Sequence, residues 1–163
     1  MVSYNFRMPA GVAGEISRNG NEGFVESRLL DSTNPPLAFG VPVKVVNGKM
    51  RTIASGDAAS VFYGILARTA PAIAGDLSAT FQTEVPNVNA TQSVVRKGYV
   101  KVRCTVGTPP LGGPVYMRVT AASGKAVGDL EATSDGSNSV ILPNVTWSLV
   151  GKDSDNIAEV YLA

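Results

Sequence analysis

Lys97-Gly98-Tyr99-Val100-Lys101-Val102-Arg103-Cys104-Thr105-Val106 is the stretch that decides the fold class. Val100, Val102, Cys104 and Val106 fall on one face, while Tyr99, Lys101, Arg103 and Thr105 fall on the other. Alternation with a period of two over this span predicts a half-buried β-strand. The chain then turns through Thr108-Pro109-Pro110-Leu111-Gly112-Gly113, and alternation resumes with Val115, Met117 and Val119 against Tyr116, Arg118 and Thr120. Past the turn at Ser123-Gly124-Lys125, short strands are expected around residues 126–132, 139–150 and 157–162.

Working back toward the N-terminus, Val41, Val43 and Val45 alternate up to Asn47-Gly48, and Lys49-Met50-Arg51-Thr52-Ile53 returns. Asn-Gly accepts positive φ at both central positions, as a type I′ hairpin turn requires. The two-residue turn pairs Val45 with Met50 and Val43 with Thr52. Phe24-Val25-Glu26-Ser27-Arg28-Leu29-Leu30 is a further strand, followed by a loop at Asp31-Ser32-Thr33-Asn34-Pro35-Pro36. Within residues 57–68, Val61, Phe62, Ile65 and Leu66 have helical spacing, but Gly64 weakens a helix interior. A turn at Ser55-Gly56-Asp57 followed by a strand through Tyr63, Ile65 and Ala67 is favoured. Residues 70–93 lose the period and carry Pro71, Gly75 and Pro86. A connection that long is either a working loop or contains an unseen strand.

Short strands between regular turns predict an all-β chain, an antiparallel β-barrel or jelly-roll-like sandwich. The domain is placed at residues 24–163. Residues 1–23, rich in Gly and Asn, are expected to form an extended N-terminal arm with at most one short strand. Tyr4, Phe6 and Met8 alternate there with Asn5 and Arg7, so the arm could add as a strand to a foreign sheet edge. A frayed terminus is the plainer reading of such a segment.

Composition removes many functions. The chain has 163 residues, 14 Lys+Arg against 13 Asp+Glu, no histidine and one cysteine. A formal charge of +1 produces no field that would gather nucleic acid or an anionic membrane. One thiol and no histidine exclude a structural zinc site and any Ser-His-Asp or Cys-His catalytic system. A single cysteine also forms no internal disulfide, so nothing points to an oxidising compartment. Glycine and proline together make about 17% of the chain, against an average near 12%. Charged residues are 17%, below the usual ~25%. No apolar run approaches the ~18 residues needed to span a bilayer, and Met1 to Arg7 lack the apolar core of a signal peptide. Synthesis in a cytoplasm is expected.

The remaining motifs read as structure. Gly124-Lys125 lacks the Gly and Ser/Thr of a phosphate loop, because Val119 and Ala126 stand there. Asp153-Ser154-Asp155-Asn156 lacks the Gly and closing Glu of a calcium loop. Asn89-Ala90-Thr91 and Asn144-Val145-Thr146 match glycosylation acceptors, which carry no meaning in a chain that is not secreted. No spacing argument joins Glu15, Glu22 and Glu26 as an acid/base pair. Cys104 and Trp147 are read as core, Trp147 aligned with Val145 and Leu149. Arg96, Lys97, Lys101 and Arg103 with Tyr99 could form a nucleic-acid surface, but a solvated strand face suits the neutral charge better.

Several segments together resemble the structural cement (capsid decoration) proteins of tailed bacteriophages. They are Gly40-Val41-Pro42-Val43, Tyr63-Gly64-Ile65-Leu66-Ala67-Arg68, Arg96-Lys97-Gly98-Tyr99-Val100-Lys101-Val102, Gly112-Gly113-Pro114-Val115-Tyr116-Met117-Arg118 and Ala158-Glu159-Val160. Each is short; their order over residues 24–163 carries the likeness. The resemblance implies a β-barrel or jelly-roll-like domain on the outer capsid surface of the virion. It implies the major capsid protein as partner, self-association as a dimer or trimer at a local symmetry axis, and a mechanical role after shell expansion. No cofactor, metal, nucleic acid, membrane or enzymatic activity is expected. Tyr4, Phe6, Arg7 and Met8 of the arm are the candidate capsid contacts. Two rival readings are a carbohydrate-binding or adhesion module of a tail fibre and a single-strand nucleic-acid binder of OB type. An exposed aromatic platform would favour the first, and steep salt dependence of binding the second.

Overall fold

The structure, a computed structural model, describes residues 11–18, 23–68 and 85–163. Tyr4, Phe6, Arg7 and Met8 lie outside the described residues. Among the described residues ten strands form, in chain order: β1 (Ile16–Arg18), β2 (Phe24–Leu29), β3 (Pro42–Val46), β4 (Lys49–Thr52), β5 (Gly64–Leu66), β6 (Thr91–Val106), β7 (Pro114–Arg118), β8 (Leu130–Glu131), β9 (Ser139–Trp147) and β10 (Ile157–Leu162). Two single 3₁₀ turns, Ala59–Val61 and Gly136–Asn138, interrupt them.

A closed barrel is built from the second half of β6 with β10, β9, β7 and β8. β10 pairs with both β9 and β6, and β8 joins β7 to β6. Every pairing in this ring is antiparallel except β6 with β8. Alternation fills the interior as the sequence predicts. Val100, Val102 and Cys104 of β6, Val115 and Met117 of β7, Trp147 of β9, and Val160 of β10 are all fully buried in one core. Each such side chain contributes roughly 1.5–3 kcal/mol relative to exposure. Leu149, expected beside Trp147, lies past the end of β9 and is 41% exposed.

The first half of β6 belongs to a second sheet with β2, β5, β3 and β4. Its ends meet where the Leu30 segment bridges Met50 and the Asp31 amide donates to the Met50 carbonyl. A smaller core of Leu30, Phe39, Val43, Met50, Leu66 and Val94 lies inside it. The Asn47-Gly48 hairpin has the expected register, Val45 with Met50 and Val43 with Thr52, and Asn47 and Gly48 take φ of 52° and 77°.

Of the two readings left open for residues 70–93, β6 bears out the unseen strand at their end. It begins at Thr91 and is 16 residues long, and Leu29 of β2 pairs with Thr91. The pattern there lacks a simple period because a register shift falls between Val25↔Val95 and Phe24↔Lys97. Val94 and Val95 are both buried, Val94 in the small core and Val95 in the large one. Two adjacent valines buried on opposite sides break the alternation, so the segment reads as unpatterned. Ile65 and Leu66 of β5 split between the same two cores. Residues 59–61, part of the ambiguous helical spacing, form only a 3₁₀ turn before β5.

Candidate functional site

Elements that could touch a partner are surfaces, since no cluster of three or more His, Cys, Asp or Glu suited to a metal occurs among the described residues. Cys104 is enclosed, and burial pushes its thiol pKa up, opposite to the shift a reactive thiolate needs. Asp153 closes a turn before β10, its Oδ1 accepting from the Asp155 and Ile157 amides at 2.9 and 2.8 Å. Glu15, Glu22 and Glu26 are not shown together. Glu15 accepts weakly from the Val12 amide at 3.4 Å, Glu26 accepts from the Tyr63 hydroxyl, and Glu22 lies outside the described residues.

The root of the N-terminal segment is fastened to the barrel. The Gly14 amide donates to the Lys101 carbonyl, the Lys101 amide to the Glu15 carbonyl, and the Arg68 amide to the Gly14 carbonyl, at 2.7–2.9 Å. β1 then pairs with β6, Ile16 opposite Val100 and Arg18 opposite Tyr99. Gly14 and Gly40 meet so closely that a Cβ on either would stand 3.0 Å or less from the other's backbone nitrogen. Arg18 ion-pairs at 2.9 Å with Glu159, which also accepts from the Ser148 hydroxyl at 2.7 Å. Gly14 to Arg18 are therefore held in place on β6 and Arg68.

The basic residues singled out in the sequence are separated by their partners. The Arg96 guanidinium stacks on the Tyr63 ring at 3.7 Å, and the Arg18 guanidinium lies 4.5 Å from the Tyr99 ring centre. Tyr99 also packs against Tyr161 at 4.7 Å. The tyrosine that would serve as a stacking platform is thus covered by Arg18 and Tyr161. Lys101 and Arg103 share a face, opposite Glu159 and Ile157 of β10. Trp147 is fully buried, leaving it unavailable to a sugar ring.

Among the described residues, several exposed apolar side chains fall together in two places. At one end of the barrel the 108–113 turn and residues 148–151 are joined by the Gly151 amide donating to the Pro109 carbonyl at 2.8 Å. They carry Leu111, Leu149 and Val150, exposed by 68%, 41% and 74%, and neither loop holds a charged residue. The other place is β2, where Phe24, Val25 and Leu29 are exposed and no residue of the strand is fully buried. Between these apolar residues, Glu26 and Arg28 form an ion pair at 2.5 Å, and Arg28 Nε donates to the Tyr63 hydroxyl at 3.1 Å.

One constellation escaped the sequence reading. Arg118, placed by alternation on the face of β7 opposite Val115 and Met117, is fully buried and pairs with Glu131 and Asp135, each at 2.6 Å. Its Nη1 donates to the Thr120 carbonyl at 3.2 Å. The guanidinium pKa is raised, chiefly by its hydrogen bond to Glu131, and Arg118 in turn holds the Asp135 carboxyl below the usual carboxylate range. Residues 13 and 17 positions away supply the anions, a distance over which strand periodicity carries no signal.

Against known proteins, the family described as structural cement protein (E217 gp24/Pam3 gp6) matches residues 2–163. Among solved structures, a chain of the capsid of Myoviridae phage XM1 superposes with a TM-score of 0.67 at 17% identity, covering 99% of this chain and 98% of that one. At that identity the likeness is one of fold. No curated protein matches the sequence.

Proposed function

The chain belongs to the structural cement protein family of bacteriophages, and from that premise we propose that it decorates the outer surface of a tailed-phage head and ties neighbouring major capsid subunits together after expansion. The family match over residues 2–163 is the observation that carries the reading. Its role is mechanical: contacts spread over a shell oppose the outward pressure of packaged DNA. Engagement of one protomer raises the effective concentration of others it is linked to, so weak contacts repeated over a lattice suffice.

The physical chemistry supports this reading. The described surface holds an uncharged apolar tip at Leu111, Leu149 and Val150, and apolar exposure of this kind marks interaction sites. The N-terminal segment, with Tyr4, Phe6, Arg7 and Met8, starts from an anchored root and is the proposed strand or apolar anchor on the capsid protein. Self-association as a dimer or trimer, the virion's outer face as location and synthesis in the host cytoplasm belong to the same proposal, as does independence from cofactor, membrane and nucleic acid.

The test is co-sedimentation of the purified protein with empty expanded capsids of the same virus, at low and high salt. Saturable binding at a fixed ratio to capsid protein, surviving salt, is expected. No binding would overturn the proposal, and binding to single-stranded DNA that falls steeply with salt would replace it.

A further inference from the structure

We propose that the apolar tip of the barrel, Leu111 with Leu149 and Val150, is an anchor that seats in an uncharged apolar pocket of the major capsid protein. This rests on the cement reading and deepens it, by naming a contact on the folded domain besides the N-terminal segment.

The sequence around the tip is cleared of charge. Cys104 to Met117 and Gly136 to Gly151 contain no Asp, Glu, Lys or Arg. At the chain's 17%, those thirty residues would carry about five charges. The two runs meet in space, because β7 and β9 pair, Pro114 with Thr146 and Tyr116 with Ile141. Burial accounts only for the inward side chains. Tyr116 and Ile141 face away from the core, and Ile141 is 55% exposed. Depletion of charge around exposed apolar side chains is the composition found at the centre of protein interfaces.

The backbone fixes how the tip is displayed. The Gly112 amide donates to the Trp147 carbonyl at 2.7 Å, and the Trp147 amide donates to the Gly113 carbonyl at 3.0 Å. The Gly151 amide reaches the Pro109 carbonyl at 2.8 Å. Gly112 and Gly151 donate from φ of 72° and 78°, a conformation that other residues rarely adopt. Pro109 and Pro110 hold their own φ, and the fully buried Trp147 roots both loops in the core. An anchor that is ordered before contact loses little conformational freedom on binding.

Area selects the occupant. Complete burial of a Leu or Val side chain removes on the order of 100 Å² of apolar surface. Exposures of 68%, 41% and 74% therefore leave roughly 200 Å² to cover. A standard interface takes ~800 Å² per partner, so the tip by itself is too small to hold two free copies together. One foothold among several on a shell does not need that area, since the other contacts raise its effective concentration. The pocket must also lack charge, because a charged side chain buried against the tip would find no partner there.

Co-sedimentation of the full chain with empty expanded capsids tests this. Leu111→Asn and Val150→Thr nearly keep side-chain size and add no charge. Together they should weaken binding at least about tenfold while leaving the melting temperature unchanged, and each alone should weaken it less. The deficit should be the same at low salt and at about 1 M, where charges are screened beyond ~3 Å. Leu111→Met keeps volume and apolarity and should coat shells like the wild type. A double variant that coats as well as the wild type, or a deficit that disappears at high salt, would overturn this inference alone. A wild-type dimer in sedimentation velocity that the double variant dissociates would also overturn it, since the occupant is then a second copy. A wild type that leaves the shells bare defeats the cement reading and this inference with it.

Discussion

Arg118 carries a full charge in a position with no exposed side-chain surface, and three oxygens from Glu131, Asp135 and Thr120 make that tenable. Breaking such a pair by removing one partner is far costlier than replacing both, because the survivor is left charged and desolvated. Glu131 Oε2 already has no hydrogen-bond partner. Arg118→Met should therefore destabilise the barrel by about 3–5 kcal/mol, measured by urea unfolding. Adding Glu131→Leu should recover most of that loss; an additive second loss would contradict the account. Cys104 shows the opposite case, a residue whose core placement the β6 alternation predicts correctly.

At the scale of elements, β6 organises everything else: five partners pair along it, β2 over its first half and β10 over its second. The second half was readable because one face meets core and the other is more exposed. The first half lies between two cores and was not. The N-terminal segment divides at its root, where Gly14 to Arg18 are held by β6 and Arg68. Deleting residues 1–10 should leave this root and the melting temperature essentially unchanged, yet abolish coating of expanded capsids in co-sedimentation. Full occupancy by the truncated chain would remove Tyr4, Phe6, Arg7 and Met8 from the capsid contact.

For the whole molecule, pH dependence follows from four carboxylates held below their ordinary range. The Tyr63 hydroxyl lowers Glu26, and the Thr33 amide with Arg51 lowers Asp31. Burial raises Asp57, but Lys44 and the Ala54 amide outweigh it, and Arg118 lowers Asp135. A folded-state pKa below the unfolded value means that the unfolded chain takes up protons first as pH falls. The stabilisation is complete above the unfolded carboxylate values near 4 and is lost as pH drops through the lower folded values. With no histidine in the chain, no side chain of that type titrates between about pH 5 and 8. Melting temperature should be flat across that range and fall below about pH 4; a transition near pH 6 would contradict this.

Local pattern by itself determined the all-β class, the Asn47-Gly48 hairpin and its register, the barrel-lining faces of β6 and β7, and the ordered segments that resemble cement proteins. These are properties of neighbours along the chain, where period two and turn chemistry act over a few residues. Tertiary structure alone decided the rest. It closed the barrel through β10 and β6, placed Val94 and Val95 in different cores, and enclosed Arg118 with anions 13 and 17 residues away. Each depends on which distant strands meet, and the pairing of distant strands leaves no period in the sequence of either one.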